Sequence, residues 1–105
     1  MTMTLSGTSG GASLAANGYT YLPNGALIQW GSVASTATNG TTAVTFPTAF
    51  PTACQSVVVS ANGTFVTNQG QTWTATSITT TGFSASYYNT AGGAAAGAKF
   101  LAIGY

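Results

Sequence analysis

Beyond residue 25, apolar and hydroxylated side chains alternate in short runs closed by turns bearing Gly, Asn or Pro. A period of two puts successive side chains on opposite faces of an extended strand. Residues 26–33 are apolar on both faces through Leu27, Ile28 and Trp30, which predicts a central strand or one covered by a neighbouring subunit. Residues 41–46 place Val44 and Phe46 on one face. Residues 55–61 and 64–67 flank Asn62-Gly63, the pair favoured in a two-residue type I′ hairpin. In residues 72–80, Trp73, Ala75 and Ser77 oppose Thr74, Thr76 and Ile78; in residues 83–88, Phe83, Ala85 and Tyr87 oppose Ser84, Ser86 and Tyr88. Residues 99–105 set Leu101, Ile103 and Tyr105 against Phe100, Ala102 and Gly104, so both faces require cover and the strand is expected to dock in a sheet.

Turn signals separate these runs at Leu22-Pro23-Asn24-Gly25, Asn39-Gly40 and Thr81-Gly82. The Phe46-Pro47 and Phe50-Pro51 pairs bracket a connection that cannot be a central strand, since proline has no N–H for the ladder. The pattern holds about seven short strands and no helical period, which predicts an all-β fold, a small antiparallel β-sandwich of about six to seven strands. Residues 1–20, rich in Ser, Thr, Gly and Ala without sustained period, read as a linker or N-terminal arm, leaving 21–105 as the domain.

Composition changes this picture in one respect. The 105 residues include one lysine, Lys99, and no Arg, Asp, Glu or His, yet 45% are hydrophobic and 11% aromatic. Such a chain folds, because disorder pairs low hydrophobicity with high charge. With almost no charge to keep surfaces apart and no charged residue to blunt strand edges, a defined oligomer is expected. Nucleic-acid binding is excluded as a partner class, since phosphate contacts draw on several Lys or Arg. No apolar run approaches the ~20 residues of a membrane helix, so membrane insertion is not expected, and the N-terminus carries no signal-peptide pattern. Cys54 has no cysteine partner within the chain and reads as a small buried hydrophobe.

The chemistry follows by elimination. General acid–base work, a carboxylate pair, a Ser/His/Asp triad and a His-activated thiol all need side chains that are missing, so no catalytic residue is expected. Metal sites want carboxylates, His or several Cys, so no metal or cofactor is expected either. What remains is uncharged hydrogen bonding and aromatic surface, which suits the hydroxyls and apolar ring faces of saccharides. The candidate receptor- or glycan-binding residues are Trp73, Tyr88, Asn68, Gln69, Gln71 and Asn89, with Tyr87 beside them. Adjacent Tyr87 and Tyr88 point to opposite faces, so at most one enters the core. Phe46, Phe50, Phe83, Phe100 and Trp30 read as packing residues and Lys99 as a solvated lysine.

Four blocks carry a family resemblance. Leu22-Pro23-Asn24-Gly25 leads into Ile28-Gln29-Trp30-Gly31; then come Val44-Thr45-Phe46-Pro47-Thr48-Ala49-Phe50-Pro51, Thr80-Thr81-Gly82-Phe83, and Phe100-Leu101-Ala102-Ile103-Gly104-Tyr105. In order and spacing, over residues 21–105, they resemble the C-terminal tip domain of bacteriophage tail fibres, a family with a fold akin to H-type lectins. The resemblance implies a homotrimeric β-sandwich at the distal end of a virion fibre, joined to an upstream shaft. It also implies recognition of a bacterial surface saccharide such as lipopolysaccharide, or of an outer-membrane protein. The family often has Trp where Phe100 stands, and the charged residues with which H-type lectins hold sugars have no counterpart here, so no lectin ligand residue carries over. Trp30, Leu101, Ile103 and Tyr105 are assigned to the trimer interface. The alternative function is a structural trimerisation cap or folding clamp ending the fibre, with recognition elsewhere. A chain of this length is expected to be either a C-terminal fragment of a longer fibre or a very short fibre protein.

Overall fold

The alternating runs become antiparallel strands in a computed structural model of the chain, which describes residues 11–34, 36–37, 39–61, 70–90 and 97–105. They are β1 (Ala12–Ser13), β2 (Gly18–Tyr21), β3 (Leu27–Val33), β4 (Thr41–Thr45), β5 (Cys54–Ala61), β6 (Gln71–Thr76), β7 (Gly82–Asn89) and β8 (Ala98–Gly104). One sheet has the order β1-β2-β3-β8-β5 and the other β4-β7-β6. The result is all-β, with no helix among the described residues.

The core lies where the inward sides of these strands meet. Leu27, Val33, Phe100 and Ala102 face Val44, Phe83 and Ala85 of the smaller sheet, with Phe46 and Phe50 joining from the connection after β4. The Phe46 ring centroid lies 5.0 Å from that of Phe50, 5.7 Å from Phe83 and 5.9 Å from Phe100. Edge-on and tilted contacts of this kind add about 0.5–1.5 kcal/mol per pair to the effect of burial. The central position of β3, between β2 and β8, agrees with its apolar content on both faces.

The connection bracketed by Pro47 and Pro51 has no ladder partner and is tied down by a side chain instead. Gln29 on β3 is fully buried; its Nε2 donates to the Thr48 carbonyl at 2.7 Å and its Oε1 accepts from the Thr48 N–H at 3.0 Å. Both backbone groups of this part-buried loop residue are thereby satisfied, as is the amide of the buried Gln29.

Three sequence expectations are changed. The segment expected as an arm supplies β1 and β2, so ordered structure begins ahead of residue 20. It has no apolar period because polar links hold it: Tyr21 N–H donates to the Gly11 carbonyl at 3.1 Å, the Trp30 indole to the Ala15 carbonyl at 3.0 Å, and Ser32 N–H to Asn17 Oδ1 at 2.9 Å. The strand expected over 72–80 stops at Thr76, because Ser77 takes a positive φ of 50° and the Thr79 hydroxyl accepts from the N–H of Thr81 and Gly82, a local turn that displaces the ladder. Cys54 is half-buried at a β-bulge rather than enclosed; burial pushes its thiol pKa up, and a backbone hydrogen bond at Ser56 offsets part of that. The hairpin signal at Asn62-Gly63 and the strand expected over 64–67 lie outside the described residues.

The chain end is clasped by its own backbone. The Tyr105 carbonyl accepts from the N–H of Thr52 and Ala53, both at 2.8 Å, and Tyr105 N–H donates to the Ala53 carbonyl at 2.9 Å. A Cβ on Gly104 would run into that Ala53 carbonyl oxygen and the Phe50 ring. Gly104→Ala is therefore expected to lower stability by about 1–3 kcal/mol, the usual result of overpacking a rigid site, with a matching fall in the urea midpoint.

Candidate functional site

The two sheets present outer faces of opposite chemistry, each following from strand register. On the five-stranded sheet, Trp30, Leu101 and Val58 stand in one rung and Ile28, Ile103 and Ser56 in the next. Leu101 is 52% exposed and Val58 59%, with Ile103 and Tyr105 also exposed. Large apolar side chains in contiguous rungs open to water mark a surface made for contact. Trp30 is half-buried and pinned by its indole bond to Ala15. At one end of this strip Lys99 Nζ donates to Ser32 Oγ at 2.9 Å, which leaves the centre of the face uncharged.

The structure thus brings Trp30, Leu101, Ile103 and Tyr105 to one outer face, together with Ile28, expected from sequence on a strand apolar on both faces, and Val58, which the sequence does not single out. The Val57-Val58-Val59 run was the available signal; only register with β8 shows that its middle member points outward beside Leu101.

The three-stranded sheet carries hydroxyls on its outer face. Thr41, Ser86 and Thr74 form one rung, and Thr72 stands opposite Tyr88 in the next. These residues and Asn39 line a groove of about 270 Å³. The Thr41 and Ser86 hydroxyls are 3.3 Å apart, and the Tyr88 ring is 50% exposed. No side-chain hydrogen bond among the described residues engages Thr72, Thr74 or Tyr88. A second groove, of about 240 Å³, runs along the seam between the sheets by Asn17, Ser32, Thr45 and Pro47.

The residues nominated from sequence for ligand contact are divided between the two sides of this sheet. Tyr88 stands on the outer face and Gln71 is exposed at the strand end. Trp73 pairs with Tyr87 in the ladder and turns inward, half-buried, its ring 5.0 Å from the Tyr87 ring. Tyr87 is buried with an unpaired hydroxyl, and Asn89 is buried as well. Trp73 and Tyr88 cannot share a face, since the partner of Tyr88 is Thr72 and neighbours along a strand alternate. Asn68 and Gln69 lie outside the described residues. The hydroxyls around Tyr88 escaped notice because threonine and serine on a strand are ordinary; the signal was their spacing, Thr72 with Thr74 and Ser84 with Ser86.

A family model described as a putative tail fiber protein, gp53-like, C-terminal, matches residues 21–105. The structure is similar to an N-truncated R1-type pyocin tail fibre, 32% identical, with 90% of this chain and 84% of that one covered and a TM-score of 0.71. An N-truncated R2-type pyocin tail fibre is 25% identical over 90% of this chain, with a TM-score of 0.81. A C-terminal portion of the P. aeruginosa R2 pyocin fibre is 25% identical over the same share, with a TM-score of 0.80. The chain spans 36% and 25% of the lengths of these two R2 structures. No curated protein sequence matches it.

Proposed function

The chain belongs to the gp53-like C-terminal family of tail-fibre proteins, and from that premise we propose that it is the receptor-binding tip of its fibre. In this reading three copies assemble through the apolar outer face of the five-stranded sheet, below an upstream shaft at the distal end of the particle's fibre. The trimer attaches the particle to a bacterial surface glycan or outer-membrane protein and performs no chemistry on it.

The observation that carries the reading is the apolar strip of Trp30, Leu101, Ile103 and Val58, which a single chain leaves in water while the opposite outer face is polar. A surface with one side to be covered by copies of itself and another to remain free suits an oligomeric end-piece. Each site then binds weakly and several fibres together hold firmly, because tethered sites see a high effective concentration. The absence of Asp, Glu, His and Arg from the sequence supports a non-catalytic role.

The backbone clasp at Tyr105 favours a second reading, in which the same trimer is a structural cap and recognition lies elsewhere. Light scattering of the purified chain is expected to give the mass of three copies, and labelled chain to adsorb to cells within a panel of bacterial strains. A trimer that adsorbs to none supports the cap. A well-folded monomer in dilute solution overturns both readings.

A further inference from the structure

We propose that the groove around Tyr88 on the outer face of the three-stranded sheet is a binding site for an uncharged saccharide. The proposal rests on the receptor-binding reading and gives that reading a location and a ligand class.

The hydroxyl-bearing Thr41, Thr72, Thr74 and Ser86, with Asn39, line the same groove as Tyr88, whose ring is exposed. Neighbouring strands are about 4.8 Å apart, so these hydroxyls form a grid on the scale of a sugar ring. Threonine is stiff at χ1 and its backbone is fixed in the ladder, so little freedom is lost when a ligand is held. The contact between the Thr41 and Ser86 hydroxyls, 3.3 Å, is long beside the usual O–H···O bond of about 2.7–2.8 Å. It is readily exchanged for ligand hydroxyls, each of which can donate and accept. The Tyr88 ring supplies the apolar surface that the C–H face of a pyranose requires.

Charge decides between occupants. The one lysine of the sequence lies on the other sheet, hydrogen-bonded to Ser32, so an anionic ligand finds no cation here. An apolar peptide face laid on the grid would bury its hydroxyls without partners, at a cost of a few kcal/mol for each. A neutral polyhydroxylated chain is the class that meets every group. Placement agrees: assembly through the opposite sheet leaves this groove facing outward in each copy.

The test uses the full chain and cells of a strain to which it adsorbs, together with delipidated polysaccharide from that strain. Periodate oxidation of the cells is expected to abolish adsorption and protease treatment to spare it. Tyr88→Ala, and separately Thr74→Ala with Ser86→Ala, should weaken binding of the polysaccharide in calorimetry by about tenfold or more, the equivalent of one or two lost contacts. Tyr88→Phe, which keeps the ring, should retain most of it. Circular dichroism and light scattering must show each variant folded and assembled as the parent is. Undiminished binding by both alanine variants, or adsorption that survives periodate and is lost to protease, overturns the site while leaving the receptor-binding reading in place. A wild-type chain that adsorbs to no strain overturns both.

Discussion

Leu101→Lys is expected to turn the trimer proposed above into folded single chains. Leu101 sits between Trp30 and Val58 in the rung at the middle of the apolar strip, so a lysine there would be buried once in every copy if the interface formed. A buried charge without a partner is destabilising by about 3–5 kcal/mol, and the sequence has no Asp or Glu to receive it. Lys99, two residues along on the same face, would add repulsion. Within one chain the same side chain is half in water, so the fold itself should lose little. Light scattering is expected to give the mass of one copy, with the β-rich circular dichroism spectrum kept. Val58→Lys should behave alike, and Thr74→Lys, on the opposite sheet, should leave assembly intact. An assembly unchanged by both strip substitutions would move the interface to another surface.

Gln29→Ala is expected to give the largest loss of stability of any single change discussed. The substitution opens a cavity in the core and strands the N–H and C=O of Thr48, which Gln29 alone satisfies among the described residues. Thr48 is only part-buried, so each of its two stranded groups is destabilising by about 1 kcal/mol; the cavity adds about 2–3 kcal/mol, a sum of about 4–5 kcal/mol. At the scale of a domain this size that is a fall in melting temperature of more than ~10 °C. Gln29→Leu separates the two effects: it restores volume and leaves Thr48 unsatisfied, so it should recover only part of the loss. Equal stability of Gln29→Leu and the parent in urea unfolding would show that the amide bonds contribute nothing net.

These two positions show what a sequence conveys and what it withholds. Leu101 was legible, because alternation along residues 99–105 separates it from Phe100 and Ala102, and one of the two sides had to remain outside a two-layer core. Gln29 was visible only as part of the Ile28-Gln29-Trp30-Gly31 block, since its partner Thr48 is a loop residue 19 positions away. The same distinction holds elsewhere. Phe83, Ala85 and Tyr87 share the buried face that their period predicts. The first two strands carry no such period and are fixed by hydrogen bonds from Trp30, Ser32 and Tyr21, which no window of local sequence contains. At the candidate site, the outward aim of Tyr88 follows from that of Tyr87, whereas the inward turn of Trp73 required the register of β6 on β7.

The place of β8 has a kinetic consequence. It lies between β3 and β5, pairing Leu27 with Gly104 and Ala61 with Ala98, so the latest strand in the order of the chain is the one that joins the two halves of the larger sheet. Until it inserts, β3 and β5 each keep an open edge, and most of the contacts that define the sheet are unavailable. Contacts between residues so far apart in sequence make for slow folding, on the order of milliseconds to seconds. Closure of the larger sheet therefore depends on one strand satisfying two edges at once.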